Sequence, residues 1–294
     1  MRPEHKPGVG LRQRGGAGFT VVELTVSIVI FGVIGASVAS FFGPAVNAWI
    51  DTRNRGELGE QADTALRRLL AEVRAAVPNS IRAPSTSCIE LVPTSGGGRL
   101  RKAVDSVNAG SAPLDTTVAT TSFDVLSPLS SPPAVGDFVV IDNQNPNDVY
   151  TGSNRAAISA VSTPAAVLGK HRITVAATQF PLGYDGGRFV VVPAAQSAVF
   201  YVCSGADGST NAAGDGKGTL YRLMNYGFNA GAPLSCPSTA SAAVLATRVK
   251  SCRLVYDPNQ GATQQNGFVS VQLELARNGE TVSLVLGAHV SNVP

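Results

Sequence analysis

The sequence predicts an α+β protein, with a long N-terminal helix packed on an antiparallel β-sheet domain. Three observations carry this prediction. No charged residue occurs over the 27 positions from Leu24 to Ile50. A 3.6-residue apolar stripe follows through Leu58, Ala62, Ala65, Leu66, Leu69, Val73 and Val77. Beyond Pro78 the chain turns to short β-branched runs separated by Gly-, Asn- and Ser-rich segments.

The first element, residues 1–18, is polar and glycine-rich. It holds Arg2, Lys6, Arg12 and Arg14 against Glu4, while the whole chain has 23 basic and 20 acidic residues. Removing the leader's four and one leaves 19 of each, so the body is neutral and its charge gives no argument for a nucleic-acid partner. The basic leader marks the cytoplasmic side of a membrane.

Residues 19–50 come next. As a helix the uncharged run covers roughly 40 Å, enough to cross a bilayer. Gly32/Ala36, Gly35/Ala39 and Ala36/Ser40 are four-residue spacings of small side chains, which let helices approach closely. Pro44 lacks an amide proton and is expected to kink the helix or loosen one turn. Glu23 stands at the front of this run, where a carboxylate is costly unless it has a role.

Residues 51–78 read as an amphipathic continuation, giving one helix of about 55 residues that Pro78 stops. Asp63/Arg67 and Arg68/Glu72 are i,i+4 pairs on its wetter sides. Residues 79–294 read as a β-rich domain with an elaborated middle. Strand-like runs occupy Cys88–Val92, Phe138–Asp142, Arg172–Ala176, Phe189–Val192, Val199–Cys203, Leu220–Met224, Val249–Tyr256, Val269–Ala276 and Val282–Val290. Asn278-Gly279 signals a tight hairpin, because a primed turn needs positive φ at both central residues. Ser95–Arg99, Ala206–Gly218 and Asn225–Pro237 read as loops.

All four cysteines, Cys88, Cys203, Cys236 and Cys252, follow the apolar run, none in a C-x-x-C and none near a histidine. That excludes a zinc motif and favours one or two disulfides in an oxidising compartment over free buried thiols. Of the three pairings four cysteines allow, Cys203–Cys252 is favoured, both lying on runs that could be sheet neighbours.

Three readings compete for the N-terminus. A signal peptide has a passable cleavage site at Val46-Asn47-Ala48, but its apolar core is too long and contains Glu23. A plain anchor explains the length and neither Glu23 nor the glycine before Phe19. Gly18-Phe19-Thr20-Val21-Val22-Glu23-Leu24 resembles the prepilin-type cleavage and methylation motif, with Val22 where leucine is common. The resemblance implies a cut after Gly18 by prepilin peptidase, N-methylation of Phe19, and a docking role for Glu23 as the fifth mature residue. It also implies a pilin-type helix whose first half lies in the membrane or filament core, with Gly32, Gly35, Ala36 and Ala39 at helix contacts.

Further blocks resemble the minor pilin-like MshO family of MSHA pilus biogenesis. They are Ala65–Leu69, Leu91–Thr94 with Gly96–Arg99, Thr121–Leu126, Tyr201–Cys203, Ser251–Pro258 and Val290–Pro294. Against that family Ser283–His289 is less polar than expected, and Cys88 and Cys236 look like extras. The implied function is a minor structural subunit of an MSHA-type IV pilus, at filament initiation or the tip. Its partners would be prepilin peptidase, other major and minor pilin-like subunits, the inner-membrane assembly platform and membrane lipid. It would cross the bacterial inner membrane once, with the N-terminus cytoplasmic and the C-terminal domain periplasmic. The alternatives are a minor pseudopilin of type II secretion, a membrane-anchored surface-binding (adhesin) module and a periplasmic hydrolase.

Enzyme chemistry finds no set of residues. His5 lies in the leader, and His171 and His289 stand alone beside strand-like runs. No H-E-x-x-H, G-x-S-x-G or dinucleotide fingerprint occurs. Gly214–Thr219 suggests a phosphate loop, but Gly218 breaks the Lys-Ser/Thr pair. Asp142–Asp148 and Asp207–Asp215 each offer two carboxylates, outside the EF-hand register, and read as turns rather than calcium loops. The expectation is a non-enzyme without metal or cofactor.

Overall fold

The computed structural model describes residues 18–183, 186–260 and 266–293. The leader expected at residues 1–18 lies outside them except for Gly18. The chain divides into two compact units after Arg53. Helix α1 (Val21–Arg74) continues through that boundary as 54 residues of helix, including Pro44.

In the first unit, every residue from Val21 to Ile50 is exposed except half-buried Ser27. This is one helix long and apolar enough to cross a membrane. The second unit buries the predicted stripe: Leu58, Ala62, Ala65, Leu66, Leu69 and Val73 lie in one core with strands of a sheet. Each large apolar side chain buried there contributes about 1.5–3 kcal/mol. The helix closes at Arg74, earlier than the expected 51–78. Val77 leaves the helical hydrogen-bond ladder, and its N–H donates to Val92 O at 2.8 Å.

The sheet beneath the helix has seven antiparallel strands. These are β1 (Arg82–Ser85), β2 (Cys88–Leu91), β9 (Val199–Ser204), β10 (Gly218–Leu223), β11 (Ala243–Gln260), β12 (Asn266–Arg277) and β13 (Glu280–Ser291), lying in that order. Asn278 and Gly279 take φ of 52° and 84° in the β12–β13 turn, the conformation their sequence demands.

The elaborated middle is a second sheet, inserted between the adjacent strands β2 and β9. Its members are β3 (Gly96–Arg99), β4 (Thr120–Val125), β5 (Phe138–Val140), β6 (Arg155–Ser162), β7 (His171–Thr178) and β8 (Arg188–Val192), in the spatial order β3-β8-β5-β6-β7-β4. Phe123, Val139, Ile158, Ile173, Phe189 and Val191 belong to its own core. Val77, Val92, Val140, Val192 and Tyr150, the last on the short helix α2 (Asp148–Thr151), form a further buried cluster linking it to the chain around α1 and β2.

Two expectations need correction. Ser95–Arg99 is not a loop, because Gly96–Arg99 pairs with Val191–Arg188. Glycines are poor strand formers, yet a Cβ at Gly97 would stand 2.5 Å from Phe189 O, so the close approach of β8 requires one there. Cys203 and Cys252 are indeed bonded, and a second disulfide joins Cys88 to Cys236. They are not on neighbouring strands, however, since β10 lies between β9 and β11. β10 starts only at Gly218, opposite Val249, and β11 runs on past it, bringing the Cys252 Cα to 6.2 Å from that of Cys203.

Candidate assembly site

Gly18, Phe19 and Thr20 precede the first turn of α1, and all three are exposed. The Glu23 N–H donates to Thr20 Oγ1 at 3.2 Å, and Glu23 Oε2 accepts from Thr20 N–H at 3.0 Å and from its hydroxyl at 3.0 Å. This reciprocal arrangement is a capping box, and it satisfies amides that the helix leaves unpaired. Its Thr-x-x-Glu signature was present in the sequence and was missed. The carboxylate also sits at the positive end of the helix dipole. Glu23 therefore has a local role in starting the helix, whatever it meets in an assembly.

Along the apolar half, the hydroxyls fold back on the helix. Thr25 donates to Val22 O, Ser27 to Glu23 O, Ser37 to Val33 O and Ser40 to Ser37 O, at 2.7–2.9 Å. Satisfied in this way, they suit a surface facing lipid or other helices. Gly32, Gly35, Ala36 and Ala39 are all exposed, and a Cβ added at Gly32 or Gly35 would meet nothing within 4 Å. Gly18 and Phe19 thus directly precede one uninterrupted helix that carries Glu23 and the four small-residue positions.

Polar clusters in the second unit act as ties. Arg222 reaches Glu72 at 2.9 Å, and the Tyr201 hydroxyl donates to the same carboxylate at 2.6 Å, joining α1 to β9 and β10. Burial and the neighbouring Glu72 raise the Tyr201 pKa, so the phenol stays a donor. Arg82 pairs with fully buried Glu90 at 2.6 Å, stacks on the Tyr150 ring and donates to Asn229 O. Tyr226 donates to the other Glu90 oxygen at 2.7 Å. Together with Cys88–Cys236, this network fastens the loop 225–237 to β1 and β2. Arg172 pairs with buried Asp124 at 2.7 Å across β4 and β7. None of these ties was visible in the sequence: Arg82 and Glu90, eight residues apart, meet only through the β1–β2 register, and the others join residues far apart in the chain.

Among the described residues, no group of three or more His, Cys, Asp or Glu is placed to hold a metal ion. His289 lies against the Phe268 ring, and His171 starts β7 half-buried. Asn143, in one of the two loops weighed for calcium, is buried and donates to Pro78 O and Asn145 O. A cavity of about 410 Å³ on the inserted sheet is lined by Asp142, Asp115, Lys102, Arg188 and Thr116 among apolar side chains. Burial raises the Asp142 pKa against the pull of Lys102. Its described lining holds no Ser, Cys or His, and Thr116 is its one side-chain hydroxyl. Comparison of the chain with protein-family models, curated proteins and solved structures returned no match.

Proposed function

We propose that this chain is a minor subunit of the type IV pilin class, closest to the MshO family, cut after Gly18 and assembled through α1. One observation carries the reading. An exposed Gly18-Phe19 bond precedes a capping-box Glu23, and the helix it opens is bare and apolar to Ile50, then amphipathic on a sheet. Cutting that bond creates an α-amino cation at Phe19, four residues ahead of the carboxylate. In an apolar setting Glu23 of the same or a neighbouring subunit neutralises it, and a desolvated pair of this kind fixes register between helices. Two disulfides suit a domain exported to an oxidising compartment. The partners of this reading are prepilin peptidase, other pilin-like subunits, the inner-membrane assembly platform and lipid.

The Glu23→Gln and Glu23→Ala variants test it, read as the fraction of protein recovered in sheared filaments from the host. Glutamine preserves the capping box but lacks the charge. Both variants are expected to be processed and then to stay in the membrane. Recovery of Glu23→Gln in filaments at the unaltered level would remove the docking role.

A further inference from the structure

Arg99 and Arg188 face each other directly across the β3–β8 pair. Like charges in that position repel and destabilise a sheet unless something neutralises them. Among the described residues neither has a carboxylate partner, whereas Arg82, Arg101, Arg172, Arg222, Arg248 and Arg277 are all ion-paired. Both line a groove of about 570 Å³ together with Arg74, which has no carboxylate partner among the described residues either, and no Asp or Glu contributes to its described lining. Arg74 stands in the last turn of α1, where a cation favours the helix dipole. That explains Arg74 and leaves the facing pair unexplained. Asp115 and Asp142 line neighbouring cavities that Arg188 also borders, but neither forms an ion pair with it.

We propose that this groove binds a carboxylated oligosaccharide, one carboxylate being held between Arg99 and Arg188. Guanidinium forks match planar carboxylates with two parallel hydrogen bonds, and the volume lies within the usual range of ligand sites. Arg99 also borders an adjoining hollow of about 530 Å³ with Lys102 and Ser127, so the track continues past a single sugar. Thr94 and Ser291 supply hydroxyls, and Ala75, Gly97 and Val293 supply small surfaces for sugar rings. Other polyanions fit less well. Strand addition by a peptide is blocked at the Arg99 end of β3, where Arg99 N–H donates to Ser127 Oγ and Arg99 O accepts from Leu126 N–H. Phe189, the one aromatic residue in the groove's described lining, is buried, so among the described residues the bases of a single-stranded nucleic acid find no stacking platform.

The test uses the full chain in detergent micelles and labelled oligogalacturonate, with dextran and oligothymidylate as comparison probes. Saturable binding that weakens with salt is expected, with affinity falling about tenfold or more in Arg99→Gln and in Arg188→Gln. Arg253→Gln, at an exposed position on β11 outside the groove, should bind as the unaltered protein does. Without ligand, Arg99→Gln should melt higher because the facing charge is gone, and it should lose the rise in melting temperature that oligogalacturonate gives the unaltered protein. Undiminished binding in both groove variants, or an equal loss in Arg253→Gln, overturns the proposal. So does binding of dextran or oligothymidylate as tight as that of oligogalacturonate.

Discussion

Glu23 is legible twice over at the scale of single residues: as a charge at the mouth of an apolar run, and as the second member of a Thr-x-x-Glu capping box. Glu90 is legible in neither way. Its partners come from Arg82 on β1 and Tyr226 on a distant loop, and only the fold brings them together. Removing Arg82 strands a fully buried carboxylate, so Arg82→Met should cost about 3–5 kcal/mol in chemical denaturation. A loss below about 1 kcal/mol would show that the tie is dispensable. Glu274 sets a pH dependence. The Lys250 ammonium at 2.9 Å, followed by the Ser251 hydroxyl, holds its pKa below the ordinary glutamate value. Its contribution to stability is therefore complete above that ordinary value and is lost as pH falls through the lowered one. Glu274→Gln should flatten the acid side of the stability profile, and an unchanged profile would assign the acid sensitivity elsewhere.

The helix is the most legible element. Its apolar positions repeat every 3.6 residues, and the predicted stripe from Leu58 to Val77 is buried throughout. Leu66→Ala should cost about 2–5 kcal/mol, because the helix and sheet cannot fully close over the cavity left behind. Calorimetry or denaturant unfolding reads this directly. Strands were legible where β-branched residues recur, as in β9 and β12, but β4 was missed despite Thr120, Thr121 and Val125, and others were hidden where such residues are few. β3 is three glycines and an arginine, β6 is rich in alanine and serine, and β1 carries Pro84, tolerated there because β1 is an edge strand. The Cys203–Cys252 bond was read correctly from an incorrect neighbourhood, since the late start of β10 leaves no trace in the sequence. That bond spans 49 residues, and replacing both cysteines by alanine should cost about 2–4 kcal/mol of stability under oxidising conditions.

Over the whole molecule, the sequence foretold an α+β chain but not its division of the β-region into two sheets. Pairing of β2 with β9 encloses more than a hundred residues of inserted chain, and local pattern carries no information about such distant partners. The same holds for the groove, whose three arginines come from α1, β3 and β8. What the sequence does carry is the order of parts: a basic N-terminal stretch, a glycine-phenylalanine bond, a capped apolar helix and a β-rich domain. A subunit that assembles through its processed helix must begin at Phe19. Mass spectrometry of the mature N-terminus, on protein recovered from the host membrane, therefore tests the central claim most directly. An N-methylated Phe19 is expected; a start at Trp49, or an intact leader, would contradict it.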